Sequence, residues 1–371
     1  MQTGQASMSI NFLFMPSTAL RWHPSVISLS GSSAPTVIIG NLHCQHMRVG
    51  VIGVGSMGQN HARILAERGE LAGVVDVSPG VAKSVGDRYS VKHYMSYQEL
   101  LQSDVEAVIV VTPTITHEKI AADAIRAGKH VLLEKPMTGN SDSLRSLANL
   151  ARKRGVVLAG GFTERHNPVV QFAKQSLQSG QFGDLITAAT RRVSSMPSRI
   201  RDVGVVMDLG VHDIDVVQYV VGKRAESVYA LGGTGPGMQY EDHANILIDF
   251  EQGATGFIEV NWLTPMKVRR LALTCSKNFV EVDYMEQSAL VASSSYKPTE
   301  AGNLYNVPLE FDLRRIALKK EEPLKRELAD FINAAQKRTD PLVTGESAIE
   351  TLKIAEAALK SMSNGKKVMV K

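Results

Sequence analysis

The chain has 371 residues, of which 44% are hydrophobic and 21% charged, and 41 basic against 37 acidic residues give a formal net charge of +4. This composition is typical of a globular protein and excludes a collagen-like, coiled-coil or largely disordered chain. The length predicts two domains, each large enough to bury its own core. Because basic residues are in only slight excess, we expect no nucleic-acid partner.

The cysteines and the apolar runs indicate the cellular compartment. Cys44 and Cys275 are far apart and lie in no CxxC or Cys/His spacing, which disfavours a disulfide framework and a structural zinc site. No apolar run reaches the roughly 18 residues that a bilayer-spanning helix needs. We therefore expect a cytoplasmic protein with no membrane partner.

Residues 1–46 differ from the rest of the chain. They contain one charged side chain, Arg21, and Met47 stands directly before the first predicted strand. The apolar stretch 10–20 has no basic flank and is interrupted by Pro16, which disfavours a secretory signal. We interpret residues 1–46 as a disordered extension or as an upstream start that the working protein does not need.

From Met47 onward, apolar strands alternate with helices. We predict strands at residues 48–54, 71–77, 107–112, 131–134 and 156–160, and helices at 56–68, 117–127 and 141–154. Continuously apolar strands that alternate with helices indicate a parallel sheet covered on both faces. Residues 47–165 are therefore predicted to form a doubly wound α/β domain.

The second half of the chain has a different pattern. Its strand candidates are residues 186–193, 227–231, 244–250, 255–262, 271–274 and 279–283, followed by amphipathic helices at 324–335 and 347–361. Glu251-Gln252-Gly253 looks like a hairpin turn between two of them. Since few helices intervene, we expect residues 166–371 to form an α/β domain with an open, mostly antiparallel sheet, with helix 347–361 packing back on the first domain.

The segment Gly53-Val-Gly-Ser-Met-Gly58 lies between a predicted strand and a predicted helix, as a Rossmann fingerprint does. Gly53 allows a tight turn, Gly55 lets the backbone approach a pyrophosphate, and Gly58 lets the helix pack close to the sheet. Asp76 ends the second strand, where an acid bonds the ribose hydroxyls. No arginine follows Asp76 directly, which favours NAD over NADP. The alternatives are a structural glycine-rich turn and a plain surface acid.

A lysine follows the fourth predicted strand, in Glu134-Lys135-Pro136. At the carboxyl edge of a parallel sheet it can polarise an alcohol or carbonyl oxygen beside a nicotinamide. The alternative is a surface lysine after a strand.

Three acids and a histidine fall within the eight residues from Asp208 to Asp215. In a helix, Asp208 and His212 share one face, and a histidine is a natural base for an alcohol proton. A metal site and a helix cap are the alternatives. We expect no metal, because no further ligand cluster has a convincing spacing.

Four arginines, Arg191, Arg192, Arg199 and Arg201, stand within 11 residues with no acid among them. Guanidinium groups bind phosphate and carboxylate in a bidentate way, which suits an anionic substrate such as a sugar nucleotide. The alternative is a solvated loop.

These motifs together resemble those of the glucose-fructose oxidoreductase / inositol dehydrogenase / MocA family, and the resemblance runs from Met47 to Lys371. The motifs that carry it are Gly53-x-Gly55-x-x-Gly58, Thr112-Pro113 with His117, Ala127-Gly-Lys-His-Val131 running into Glu134-Lys135-Pro136, and Asp208-x-Gly210-x-His212-x-x-Asp215. The resemblance implies an N-terminal Rossmann domain and a second domain whose open sheet often buries a subunit interface. A homodimer or homotetramer is therefore expected.

The resemblance also implies roles for individual residues. Lys135 is expected to contact substrate and nicotinamide, His212 to accept the proton, and Asp208 to orient the substrate hydroxyl or the histidine. The expected NAD-binding residues are Gly53, Gly55, Ser56, Met57, Gly58, Asp76, Thr112, Pro113, His117, Glu134 and Lys135. The expected substrate-binding residues are Lys135, Arg165, Asn167, Arg191, Arg199, Asp208 and His212.

Within the family, the segments MRVGVIGVGSMGQNHARIL and FTERHNP look like those of the sugar-nucleotide 3-dehydrogenases. The expected activity is thus NAD-dependent oxidation of a secondary alcohol of a small molecule, a sugar and specifically a UDP-sugar. Free sugars and inositols are the alternative substrates. Two other classes stay open, namely a non-catalytic NAD-binding regulator and a lyase or hydrolase that uses bound NAD transiently.

Overall fold

A computed structural model of the chain describes residues 46–196, 203–236, 238–296 and 309–371. These residues contain a six-stranded sheet and a nine-stranded sheet. The predicted fold class, a doubly wound parallel sheet followed by an open and mostly antiparallel sheet, is confirmed.

The first sheet is parallel throughout. Its strands are β1 (Val49–Ile52), β2 (Leu71–Val75), β3 (Lys92–Tyr94), β4 (Ala107–Val110), β5 (His130–Glu134) and β6 (Leu158–Gly161), and its helices are α1 (Ser56–Glu67), α2 (Pro79–Tyr89), α3 (Tyr97–Leu101), α4 (Thr114–Arg126) and α5 (Ser141–Arg154). The strand order is β3-β2-β1-β4-β5-β6. Strands β1 and β4 are buried along their whole length, because helices cover both faces of this sheet.

Local sequence sets the ends of these elements. The side chain of Asn140 caps α5 by accepting the amide of Ser143, and Gly155, with φ of +65°, ends it. The predictions did not include α2, β3 and α3. Strand β3 has three residues at the sheet edge, too short for its apolar pattern to be recognised.

The second sheet has the order β14-β13-β12-β11-β7-β10-β9-β8-β15. In chain order the elements are α6 (Pro168–Gln178), β7 (Leu185–Ser195), α7 (Val211–Val221), β8 (Ala225–Gly233), β9 (His243–Phe250), β10 (Thr255–Asn261), β11 (Leu263–Cys275), β12 (Phe279–Asp283), β13 (Ser288–Tyr296), β14 (Leu309–Ala317), α8 (Pro323–Lys337), α9 (Gly345–Asn364) and β15 (Val368–Met369). Strands β7 and β10 are parallel, and the other neighbouring pairs are antiparallel.

The predicted hairpin turn joins β9 to β10. Gln252 and Gly253 take φ angles of +64° and +82° there, in the left-handed region that tight turns use. The predictions missed β13 and β14. The sequence of β13, SALVASSSY, is rich in serine and shows little of the apolar alternation that identifies a strand.

Helix α9 contacts both halves of the molecule. Glu356 accepts hydrogen bonds from the amide and the hydroxyl of Ser141, at the start of α5. Farther along α9, the hydroxyl of Ser361 accepts the amide of Ala230 in β8. Among the described residues, no helix combines the length and apolarity needed to span a lipid bilayer.

Candidate active site

The turn between β1 and α1 has the geometry that a dinucleotide pyrophosphate needs. Gly53 has φ of +88°, which side chains disfavour, and a Cβ on Gly58 would lie 1.9 Å from the carbonyl oxygen of Gly53. By contrast, apart from Gly55 and its two chain neighbours, no atom of the described residues lies within 4 Å of the Cβ position of Gly55. Within that part of the chain, α1 has neither a capping side chain nor an acid in its first turn. Its first N–H groups and its dipole therefore suit the pyrophosphate of NAD.

Asp76 directly follows β2 and is partly exposed. Its Oδ2 accepts the amide of Val54 at 2.8 Å and its Oδ1 the amide of Ser78 at 2.9 Å. These bonds fix the carboxylate beside the glycine turn, and each oxygen keeps a second lone pair. The arrangement fits a ribose that donates hydroxyl protons, and the negative charge disfavours a 2′-phosphate.

A cleft of about 750 Å³ opens at the carboxyl edge of the first sheet. The cleft is bounded on its other side by α7, by the start of α8 and by strands of the second sheet. The predicted NAD-binding residues that line it are Gly55, Ser56, Met57, Thr112, Pro113, Glu134 and Lys135. The predicted substrate-binding residues that line it are Lys135, Asn167, Asp208 and His212.

The catalytic candidates meet in this cleft. Asp208 lies in a π-helical turn, Val206–Gly210, which runs directly into α7, and such turns often occur at functional sites. Lys135 donates from Nζ to the backbone oxygen of Asp208 at 2.9 Å and to its Oδ1 at 2.8 Å. His212 lies in the first turn of α7, directly after the π-helical turn, and its side chain lines the same cleft. The lysine that follows β5 is thus held by Asp208 in the cleft that His212 also lines.

The electrostatic environment keeps His212 neutral. Burial lowers its pKa well below the ordinary 6.5, and the positive charges of Lys135, Arg192 and Arg269 lower it further. Its Nδ1 is buried and has no hydrogen-bond partner in the described part of the chain. A neutral imidazole is the form that accepts a proton, so this histidine is in the correct state to act as a base.

Beneath the cleft lies a buried network of ion pairs. Arg192 is 2% exposed and donates to Oδ2 of Asp213 and to Oε1 of Glu164, both at 3.1 Å. Arg269 donates to the same Glu164 oxygen at 3.3 Å. Burial opposes the ionisation of Glu164, but Arg192 and Arg269 bring its pKa below the ordinary value. Arg192 therefore anchors the residue next to His212 from below.

Two of the predicted substrate-binding arginines lie elsewhere. Arg191 is on the outer face of β7, exposed and 3.0 Å from Glu259, because neighbouring strand residues point to opposite faces. Arg165 is buried and makes a two-pronged ion pair with Asp215, at 2.5 and 2.7 Å. Both guanidinium groups are thus committed to carboxylates away from the cleft. Arg199, with Arg201, lies outside the described residues.

His117, predicted to bind NAD, is buried at the start of α4. Its Nε2 lies 2.7 Å from the backbone oxygen of Thr112 and its Nδ1 3.0 Å from that of Pro136. The ring therefore joins the two loops that follow β4 and β5 and reaches the cofactor site only through them. Asn167 lines the cleft but also caps α6 and donates to the backbone oxygen of Tyr284.

Sequence reasoning missed Arg269, Tyr284 and Gln287, which also line the cleft. A signal for Arg269 was present in the pair Arg269-Arg270. Adjacent residues of a strand face opposite sides, so one arginine of such a pair faces inward. The inward residue is Arg269, and Arg270 lies outside near Asp283.

Comparison with protein families agrees with this geometry. Residues 47–162 match the model described as "Oxidoreductase family, NAD-binding Rossmann fold", and residues 170–281 match that of the "GFO/IDH/MocA C-terminal domain". UDP-N-acetylglucosamine 3-dehydrogenase of Acidithiobacillus ferrooxidans is 30% identical over 78% of this chain and 88% of its own length. The scyllo-inositol 2-dehydrogenase (NAD(+)) of Bacillus subtilis is 26% identical over 87% and 96%.

Solved structures give the same result. The structure of the Acidithiobacillus ferrooxidans enzyme superimposes with a TM-score of 0.78 at 28% identity, covering 86% of this chain and 98% of that one. GenD2 from gentamicin A biosynthesis, in complex with NAD, gives 0.76 at 25% identity, covering 91% and 100%. The chain therefore belongs to the Gfo/Idh/MocA family of NAD-dependent sugar and inositol dehydrogenases, oxidoreductases that act on alcohol groups.

Proposed function

We propose that this enzyme oxidises a secondary alcohol of a UDP-sugar to a ketone, with NAD as the hydride acceptor. The observation that carries the proposal is the meeting of Lys135, Asp208 and His212 in one cleft that continues to the glycine turn at Gly55. The cofactor occupies the turn and the carboxyl edge, and the sugar lies between the edge of the first sheet and α7.

Each catalytic candidate then has a distinct role. The reacting hydroxyl lies between Lys135 Nζ and the ring of His212, and His212 takes its proton as the carbon–oxygen double bond forms. When bound, NAD accepts the hydride from the alcohol carbon. The charge of Lys135 stabilises the negative charge that develops on oxygen, while Asp208 holds the lysine in place. General-base help contributes about 10²–10⁴-fold.

Arg269 is the proposed partner of the substrate diphosphate. It lines the cleft, and within the described ranges its guanidinium makes one side-chain hydrogen bond, 3.3 Å long, to a Glu164 oxygen that Arg192 also uses. Several of its five N–H groups therefore remain for a bidentate anion. The similarity to a UDP-N-acetylglucosamine 3-dehydrogenase supports this substrate class. Similarity to inositol dehydrogenases supports the second candidate, a free sugar or inositol.

The experiment is a substrate panel with NAD, containing UDP-sugars, free hexoses and inositols, followed by the absorbance of reduced nicotinamide. We expect turnover of a UDP-sugar. Arg269→Met should then raise KM about 10–100-fold, the loss of a charge-assisted pair, with little change in kcat. Arg270→Met, on the outer face, is the matched control. Turnover restricted to uncharged polyols would refute the UDP-sugar assignment and keep the chemistry.

The same assay, together with a measurement of NAD affinity, distinguishes two other functional classes, a non-catalytic regulator and a lyase or hydrolase. A non-catalytic NAD-binding regulator would bind NAD equally well after Lys135→Met or His212→Gln and would turn over nothing. A lyase or hydrolase would consume substrate without net release of reduced cofactor.

We also propose that the outer face of the second sheet pairs with a second copy of the chain. An apolar row crosses five strands on this face, because the strand registers place Tyr229, Leu247, Phe257, Ala189 and Ala272 side by side. Leu247 is 49% exposed and Phe257 is 36% exposed. Contiguous apolar surface of this kind marks interfaces. Leu247→Glu should yield a monomer in sedimentation, and a wild-type monomer would refute the proposal.

A further inference from the structure

Three buried side chains, which we term the buried triad, lie beneath the carboxyl end of β5. They are His61 of α1, Glu134 of β5 and Glu327 of α8, and they are 0%, 7% and 2% exposed. One polar atom from each lies within 4.8 Å of the other two. The three belong to elements that are distant in the chain, so tertiary packing alone brings them together.

Glu134 connects this triad to the catalytic lysine. Its Oε1 lies 2.8 Å from Nε2 of His61, and its Oε2 accepts the backbone amide of Lys135 at 3.1 Å. A Cβ on Gly161 would lie 3.0 Å from the Cα of Glu134, so β6 packs closely against it. The Glu134 carboxylate therefore helps to orient the peptide of the residue whose Nζ meets Asp208.

Glu327 is the unexplained member. Both of its carboxyl oxygens are buried, and neither has a partner in hydrogen-bond geometry among the residues described, although the side chain of Thr163 is close enough to lower its pKa. A buried polar group without a hydrogen-bond partner destabilises the fold, and an apolar side chain of similar size would avoid that cost.

The charges around Glu327 determine its protonation state. Glu134, Asp215 and Asp330 face it with negative charge, His61 is the third member of the triad, and His166 lines the same small pocket. Two buried carboxylates this close do not both ionise. Burial raises the pKa of Glu327 well above 4.5, and the charge of Glu134 raises it further. Glu327 is thus a neutral hydrogen-bond donor.

We propose that Glu327 is a positioning residue for Lys135. A small rotation of its side chain closes the gap of at most 4.8 Å to the Glu134–His61 pair, so that the carboxyl group donates a hydrogen bond there and holds the carboxylate that orients the lysine peptide. This inference rests on the role proposed above for Lys135. Small displacements of a catalytic group can cost on the order of 100-fold in rate, so such support has consequences for turnover.

The test compares two substitutions of Glu327 in the full chain. Glu327→Gln keeps a neutral hydrogen-bond donor. Glu327→Met keeps the side-chain volume but removes the donor. The reactivity of the Lys135 amine is measured by competitive acetylation and peptide mass spectrometry, which needs no substrate. We expect Lys135 to react about tenfold faster in Glu327→Met and within twofold of wild type in Glu327→Gln. The affinity for NAD should stay within twofold in both.

Kinetics and thermal unfolding complete the design. Glu327→Met should lower kcat about tenfold while the midpoint of unfolding stays the same or rises, because an unpaired buried carboxyl is removed. A residue that only stabilises the fold would give the opposite result. Asp330→Asn on the same helix is the control, since Asp330 accepts the amide of Leu342 outside the triad. It should leave the reactivity of Lys135 unchanged.

Several results would overturn the proposal. One is a Glu327→Met variant whose Lys135 acetylation rate and kcat equal those of the wild type. Another is a Glu327→Gln variant whose kcat falls as far as that of Glu327→Met, which would mean that an ionised carboxylate is needed. Glu327→Asp is a second variant, whose shorter carboxyl should also free Lys135. A wild-type result there counts against the proposal. Loss of activity on chelation, restored by a divalent metal ion, would mean that the triad binds metal instead. Absence of sugar turnover in the wild type would refute the proposed function and leave the acetylation result standing.

Discussion

The two sheets handle charge differently. In the first sheet, strands β1 and β4 are apolar and buried on both faces, and the chemistry-bearing side chains come where strands end, as Asp76 and Lys135 do. In the second sheet, charge lies on the faces of the strands. Arg191 and Arg192 are neighbours in β7, yet the first is exposed and the second is 2% exposed.

The difference teaches where each sheet contributes to the site. A sheet covered on both faces contributes through one edge, so its functional residues follow strands in the sequence. A sheet with one open face contributes through every second residue. There, a side chain under the cleft and a side chain on the outer surface can be adjacent in the chain.

The largest expected effect comes from the arginine pair of β7. Arg192→Met leaves Asp213 and Glu164 buried beside each other with fewer partners, which should reduce the free energy of unfolding by about 3–5 kcal/mol. Arg191→Met removes an exposed pair with Glu259 and should cost less than about 1 kcal/mol. Urea unfolding followed by circular dichroism measures both. Similar losses in the two variants would contradict the assignment of the two faces.

The second effect concerns the two ends of β5. Lys135→Met at the carboxyl end should lower kcat about 10²–10³-fold, because it removes the charge beside the reacting oxygen. Lys129 precedes the same strand, and its Nζ donates to the backbone oxygens of Ser103 and Val105. Lys129→Met should therefore cost about 1 kcal/mol of stability and leave kcat unchanged.

Steady-state kinetics with reduced-nicotinamide detection distinguishes these variants. Equal losses of kcat in Lys135→Met and Lys129→Met would mean that the position of Lys135 at the carboxyl end of β5 gives it no special role in catalysis.

The contrast between the sheets also explains how far sequence reasoning reached. The glycine turn, Asp76 and Lys135 were predictable because each stands at a fixed place relative to a strand end. The Asp208–His212 pair was predictable from helical spacing, although the turn at Asp208 is π-helical. The NAD-dependent chemistry followed from these residues and from the family resemblance.

The rest depended on tertiary packing. The predictions placed Arg191 and Arg165 at the substrate, but their environments depend on strand register and on the distant acids Glu259 and Asp215. The cleft instead contains Arg269, which lies in β11 (Leu263–Cys275) but two residues before the start of the predicted strand at residue 271. A sequence pattern shows that a residue is charged, but it does not show which carboxylate packs against that residue in the folded protein.

The third effect concerns the glycine turn at the edge of the first sheet. Gly55→Ala places a Cβ where no described atom lies within 4 Å, so the fold should keep its stability. The new methyl group faces the proposed pyrophosphate, and NAD affinity should fall about tenfold, or 1.4 kcal/mol. Gly139→Ala is the matched control, because its Cβ also meets open space. Fluorescence titration with NAD checks this. Undiminished affinity in Gly55→Ala would mean that the pyrophosphate lies elsewhere.

The smallest expected effect is the response of the wild-type enzyme to mild acid. An ordinary histidine base, with a pKa of 6.5, would be half protonated at pH 6.5. Burial and the charge of Lys135 lower the pKa of His212 well below that value, so kcat/KM should lose less than half its neutral-pH value on reaching pH 6.5. The fall should come at lower pH, as the ring takes up a proton.

Stability should respond over the same range, and the sign follows from linkage. The folded state disfavours the proton on His212, and the unfolded chain accepts it near pH 6.5, so the contribution of this residue to stability is lost as the pH falls below about 6.5. Measuring kcat/KM and the unfolding midpoint in one buffer series separates the two effects. A rate that halves at pH 6.5 while the midpoint is unchanged would show that the proton acceptor is a more exposed group than His212. The charges of Lys135, Arg192 and Arg269 would then not determine the protonation state of the catalytic base.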